Sequence, residues 1–260
     1  MAILALDASL TTGLVLGAAF FAGFVDAIVG GGGLIQLPAL LTGYPAAPPP
    51  VLLGTNKLGS ICGTASATLR YQHAVNIPWR DLLPAAGAAG LAALLGANCI
   101  RLMSPRVFRP LVPMALSVLL IYILSNKDLG SRHLPVNFSR RRGALALGGM
   151  AVIGFYDGFF GPGTGSFLML LFVRLYGFDF LRASASARMI NVATNAGALL
   201  LFGALGQVNI AFGLALGACN ATGSVLGTHA AVKHGSGFVR IAYIAIVSGL
   251  IAKTAWDVLR

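Results

Sequence analysis

The chain has 260 residues, 57% of them hydrophobic and only 10% charged, with a mean hydropathy of +0.84, which excludes an ordinary water-soluble domain and indicates a membrane bundle. Formal charge is +11, from 18 Lys and Arg against 7 Asp and no Glu. The basic residues gather in short gaps between apolar runs, so they read as topology determinants and contacts for membrane lipids, with no nucleic-acid partner.

In chain order, the opening MAILALDASL has Asp7 but no basic residue before the first apolar run, which reads as a retained segment and not a cleaved signal. Apolar runs then fall at Thr11 to Val29, Leu34 to Leu41, Val51 to Leu69, Leu82 to Leu102, Val107 to Leu124, Arg142 to Phe160, Gly165 to Tyr176, Ala183 to Phe202, Ile210 to Val232 and Val239 to Trp256. A helix needs about 20 apolar residues to cross roughly 30 Å of hydrocarbon, so the second and seventh runs cannot span alone. They either complete an interrupted helix or turn back as re-entrant pieces. The expected fold is all-α, a polytopic transmembrane helix bundle of about eight segments.

Two of the runs stop at the same kind of feature. GFVDAIVGGGGL, Gly23 to Leu34, and GFYDGFFGPGTG, Gly154 to Gly165, place Asp26 and Asp157 131 residues apart. At that offset Leu16, Gly17, Phe24, Gly30, Gly32, Leu37 and Leu40 meet identical residues, and Lys57 meets Arg188. This pattern predicts two internal repeats with glycine-broken helices: residues 1–125, a basic linker at 126–142 carrying Lys127, Arg132, Arg140, Arg141 and Arg142, and residues 143–260. If each break is a kink, the halves are parallel. If each reverses the chain, they are inverted, and the basic linker, the Arg174 to Arg188 side and the Lys233 to Arg240 loop share one face of the membrane.

Ionisable and helix-breaking residues are both costly in hydrocarbon, so their repetition marks a built site. Gly30 to Gly33 and the Gly161-Pro162-Gly163-Thr164-Gly165 stretch leave backbone N–H groups short of helical partners, an anion-binding arrangement when set at the start of a half-helix. Gly31, Gly32, Gly33, Gly163, Thr164 and Gly165 are therefore candidate substrate contacts. Lys57 and Arg188 are the strongest side-chain candidates, with Thr55, Asn56, Ser186 and Asn191 as neighbouring hydrogen-bond donors. The competing reading of each cation is a snorkelling headgroup contact. Asp26 and Asp157 are coupling or gating candidates, able to pair with the cations or exchange protons, or else structural caps. Asn195, Asn220 and Gln36 have weaker claims. Cys62, Cys99 and Cys219 form no CxxC and read as unpaired thiols, and the histidines make no metal pattern. No cofactor or hydrolase motif occurs, so the chain is read as a transporter and not an enzyme.

The stretches GFVDAIVGGGGLIQLPALL, GTNKL at Gly54 to Leu58, Gly63-Thr64, Arg70-Tyr71, GFYDGFFGPGTGSF and Arg188 to Asn195 together resemble the TauE/SafE sulfite-exporter family over nearly the whole chain. The resemblance implies an inner-membrane permease for small anions, with sulfite, sulfoacetate and related organosulfur compounds as substrates and export as the direction. Arg188 stands where that family often has lysine; charge is kept, but guanidinium and ammonium bind oxyanions differently. An anion channel using the same residues, and a membrane scaffold that moves no oxyanion, are the alternatives.

Overall fold

The computed structural model describes residues 9–99 and 140–259, and every regular element among them is helical. The Val107 to Leu124 run, Arg101, Arg106, Arg109, Lys127, Arg132, His133 and most of the 126–142 linker lie outside those residues.

Helix α1, Leu10–Val29, begins where the Ser9 hydroxyl accepts the Thr12 N–H, and it stops at Gly30. Gly30 has φ +84°, a left-handed conformation that costs a residue with a side chain about 1–2 kcal/mol. A side chain there would also overlap the backbone of Gly165. After this break α2, Gly33–Gly43, runs back along α1: Gly43 packs on Val15 and Thr11, and the Tyr44 and Thr12 hydroxyls are 2.7 Å apart. The first break is thus a reversal of the chain. Pro49 and Pro50, pre-set for a first helical turn, start α3, Pro49–Ala74, which runs alongside α1 in the same sense until the Tyr71 hydroxyl donates to the Ala27 carbonyl at 2.9 Å. Helix α4, Trp79–Cys99, returns.

The later residues repeat the sequence of moves. Helix α5, Arg140–Phe159, ends before Gly161, whose φ is +95°. Helix α6, Thr164–Leu171, extended by one π-helical turn at Phe172–Tyr176, folds back so that Leu171 meets Gly149. Tyr156 fastens this second reversal, donating to the Pro162 carbonyl at 2.7 Å and setting its ring edge-on to Phe167. Helix α7, Phe180–Ala204, is capped by Asp179, and α8, Ile210–Leu259, is broken at Gly235. The loop expected between Val232 and Val239 is therefore that single break, with helical residues on both sides.

Helix α1 packs against α8 and α4 against α5, each pair running parallel, while α3 contacts both α7 and α8 and α4 contacts α7. Small residues let the backbones close up: side chains at Gly23 and Gly227 would strike Asn220 and Phe24, and side chains at Gly154 and Gly96 would strike Ala89 and Phe155. These directions bring the ends that carry Arg70, Arg80, Arg140, Arg174, Arg182 and Lys233 to one side of the bundle. Among the described residues, the connections on the other side, 44–48 and 205–209, carry no charge.

Among the described residues, three helices combine the length and apolarity needed to cross a membrane: Leu10–Val29, Leu82–Cys99 and Ile210–Gly249. Helices α3, α5 and α7 are long enough, at 26, 20 and 25 residues, but polar and small residues dilute their apolar character. Leu14, Phe21, Leu91, Val152, Leu200 and Ile241 are exposed, as residues that face lipid would be.

Candidate anion site

The centre is built from the two reversals, which meet tip to tip: Gly33 lies against Pro162, and Gly30 against Gly165. Ending α1 inside the bundle orphans its last carbonyls, and buried carbonyls need donors. They find them in the second half of the chain. The Ser184 hydroxyl is 3.0 Å from both the Ala27 and Ile28 carbonyls, Ser166 donates to Val29 at 2.8 Å, and Arg188 Nη1 donates to the Asp26 carbonyl. The same Nη1 is 2.7 Å from Asp26 Oδ2. At the end of α5 the partners are exchanged: Lys57 Nζ donates to the Asp157 carbonyl at 2.7 Å and lies 2.9 Å from Asp157 Oδ2.

Each cation therefore does two things to the opposite half of the chain. It caps the negative end of a helix and neutralises a carboxylate, both favourable in a medium where neither charge is hydrated. Lys57 is 3% exposed, Asp157 4% and Arg188 0%, which removes the snorkelling reading: none of the three reaches a headgroup. Each carboxylate in turn reaches the start of the half-helix that follows its own break. Asp26 Oδ1 accepts the Gly32 N–H at 3.2 Å, and Asp157 Oδ1 accepts the Thr164 hydroxyl at 2.9 Å.

Beside these pairs lies a polar cavity of about 30 Å³. A water needs about 10–15 Å³ of such space, so this one has room for a few waters or a small ion. Lys57, Asp26, Asp157, Gly32, Gly33, Thr164, Gly165, Asn56 and Asn191, all expected at the site, line it together with Asn195 and Asn220. The Oδ1 atoms of Asn56 and Asn191 are buried without a hydrogen-bond partner, as are Nε and Nη2 of Arg188.

Other expected residues are used elsewhere or stand apart. Thr55 accepts the Asn209 N–H at 3.0 Å and so ties α3 to the start of α8. Arg188, Ser186, Gly31 and Gly163 are outside the cavity wall, although Arg188 reaches it through Asp26. Gln36 lies behind the wall: Asn220 Nδ2 donates to Gln36 Oε1 at 2.6 Å, which links α2 to α8. Sequence reasoning missed Ser60 and Thr64, which also line the cavity. Their spacing was a usable signal, because Ser60 and Thr64 follow Lys57 by three and seven residues and so share its helical face, as Asn191 and Asn195 do for Arg188. Among the described residues no cluster of metal-ligating side chains occurs.

Long apolar helices around a buried, charge-balanced centre define a multi-pass membrane protein of the transport class. Over residues 15–254 the chain matches the family described as Sulfite exporter TauE/SafE, and it belongs to that family. Its relatives include the "Probable membrane transporter protein ORF9" of Sinorhizobium sp, 37% identical over 90% of each chain. Others are a "Probable membrane transporter protein" of Haemophilus influenzae, 35% identical over 92% of each, and "Probable membrane transporter protein YfcA" of Escherichia coli K12, 33% identical over 94% of this chain and 91% of the relative. No solved structure matches the chain. The protein is a multi-pass, inner-membrane transport protein for anions, in a family of transporters and not of enzymes.

Proposed function

We propose that the protein moves a small oxyanion, such as sulfite or an organosulfonate, across the inner membrane by alternating access around the tips of two inverted repeats, with export as the direction. The observation that carries this reading is the exchanged pair of buried cations, Lys57 on Asp157 and Arg188 on Asp26, set where two half-helices begin. The carboxylates occupy the positions an oxyanion would take, between a cation and a half-helix N-terminus. A small oxyanion displaces such a carboxylate by offering the same chemistry, and the cavity beside it has room for a small ion.

The repeat reading has its own support. Shifting α1, α3 and the start of α4 by 131 residues lands within a residue of α5, α7 and α8. The close contacts correspond too: Gly23 on Asn220 maps to Gly154 on Ala89, and Gly227 on Phe24 maps to Gly96 on Phe155. Because α1 and α5 run in opposite senses, the repeats are inverted, the arrangement in which a central site is reached from either side by rocking one half against the other. The correspondence runs from residues 10–99 to 141–230, within the repeats proposed at 1–125 and 143–260 apart from the first residues of α5. With basic residues inside, the Arg70, Arg140 and Lys233 ends face the cytoplasm.

The test is flux into proteoliposomes with sulfite, thiosulfate, sulfate, sulfoacetate and chloride. Wild-type protein should move sulfite or sulfoacetate with saturation, and Lys57→Ala and Arg188→Ala should lower that flux by more than they lower the yield of folded protein. Normal flux in both variants would refute the cationic site, and a protein that moves none of the five would refute the transport reading.

A further inference from the structure

We infer that Asp157 takes up one proton for each monoanionic oxyanion bound at Lys57, so that anion and proton cross the membrane together as an electroneutral pair. The inference rests on the oxyanion-transport reading above, with export running down an outward anion gradient, and adds the coupling ion, its site and its stoichiometry.

Charge balance is the first argument. The two cations and two carboxylates at the centre sum to zero, and Lys57, Asp157 and Arg188 are almost wholly withdrawn from solvent. A monoanion entering this balanced site leaves one uncompensated negative charge in a poorly hydrated interior, a state proteins avoid by neutralising a group. A single proton restores the balance, and only a carboxylate at the centre can accept it.

Position selects which carboxylate. Both members of the Lys57–Asp157 pair line the cavity, so an anion that displaces Asp157 from Lys57 meets the freed ammonium directly. Arg188 is fully buried and outside the cavity wall, so an anion in the cavity reaches it only after Asp26 has moved, whereas Lys57 already borders that space. The charged and titratable groups around Asp157 are Lys57 from α3, Asp26 from α1 with Arg188 of α7 bound to it, and Tyr156 on its own helix. Helix α4, packed on the other face, brings Ala89, Ala93 and Gly96 there, while α6 brings Thr164 and α8 brings Asn220.

The hydrogen-bond inventory points the same way. Among the residues that line the cavity, Asn56 and Asn191 carry buried Oδ1 acceptors with no donor, beside the unpartnered Nε and Nη2 donors of Arg188 behind the wall. An O–H, such as that of a protonated Asp157, is what such acceptors lack. The balance of the step is simple. The Lys57–Asp157 ion pair opens, a proton from the side on which the anion enters bonds to the Asp157 carboxylate, the anion pairs with Lys57, and both leave together when the pair closes again.

Methanesulfonate is the probe, because its acid form is not populated in water and any proton that accompanies it has to be carried by the protein. In proteoliposomes with potassium and valinomycin holding the membrane potential at zero, a pH difference of one unit should accumulate methanesulfonate about tenfold on the alkaline side, because at equilibrium the product of anion and proton concentrations is equal on the two sides. A potential alone should produce none. Asp157→Asn leaves the centre with one net positive charge, so in that variant the pH difference should lose its effect and about 59 mV should give the tenfold ratio instead. Wild-type accumulation that follows potential and ignores pH would overturn the coupling while leaving oxyanion transport standing. Flux of sulfite or sulfoacetate without methanesulfonate flux would overturn the monoanion stoichiometry, and absence of flux for every oxyanion would overturn the transport reading with it. The wild-type measurement decides the matter even if Asp157→Asn does not fold.

Discussion

Removing Lys57 should destabilise the protein far more than removing Lys57 and the Asp157 charge together. The two groups are 2.9 Å apart and at most 4% exposed, so solvent screening gives little relief. Truncating one partner of such a pair leaves a buried, uncompensated charge, which costs about 3–5 kcal/mol, whereas replacing both charges with neutral groups is often close to neutral. Lys57→Met alone should therefore cost about 3–5 kcal/mol. Asp157→Asn alone should cost less, because Lys57 keeps the carbonyl of residue 157 and gains an amide oxygen. The double variant should recover most of the stability lost in Lys57→Met, giving a coupling energy of several kcal/mol. Equilibrium unfolding by SDS in mixed micelles, followed by circular dichroism, measures all four corners of the cycle. Additivity to within about 0.5 kcal/mol would show that the two groups do not interact, and the charge-balanced centre would fall with that result.

Other expectations follow from the same geometry. Gly30→Ala should abolish recovery of monodisperse protein on size exclusion, since its φ of +84° alone costs about 1–2 kcal/mol and its Cβ would enter the Gly165 backbone; Gly13→Ala, with nothing within 4 Å, should be neutral or slightly stabilising. Thr55→Val should cost about 0.5–1.5 kcal/mol in SDS unfolding through loss of the bond from Asn209 and leave the half-saturating sulfite concentration unchanged. A raised value in that variant would return Thr55 to the site. With Cys62, Cys99 and Cys219 replaced, Ala46→Cys should react with a membrane-impermeant maleimide in intact cells and Arg174→Cys only after lysis; the opposite pattern would reverse the assigned orientation.

Much of this architecture was legible from residue order because hydrocarbon leaves few options. Apolar runs forecast α1 to within a residue and α5 to within two, and the repeated Gly-Phe-x-Asp before each break marked the two reversals. Whether the chain kinked or reversed was not legible, because glycine permits both; the decision comes from contacts distant in sequence, such as Gly43 on Val15 and Leu171 on Gly149. The same limit applied to the ion pairs. Lys57 and Asp157 are 100 residues apart, and nothing local says that each cation serves the opposite half. The second use of Thr55 was hidden for a related reason: a threonine next to a buried lysine looks like a ligand contact until the incoming backbone of Asn209 is placed beside it. Ser60 and Thr64 were readable as a helical stripe but lacked the charge that drew notice to Lys57.

The most direct test of the central claim, that Lys57 and the two half-helix tips form an alternating-access site for an oxyanion, is sulfite counterflow. Proteoliposomes preloaded with unlabelled sulfite are diluted into a trace of labelled sulfite at equal pH and zero potential. The account predicts a transient accumulation of label above equilibrium in wild-type vesicles and its loss in Lys57→Ala vesicles that carry the same amount of folded protein. Label that equilibrates without an overshoot would identify an open channel, and label that fails to enter would leave a membrane protein that moves no sulfite; either result contradicts the account.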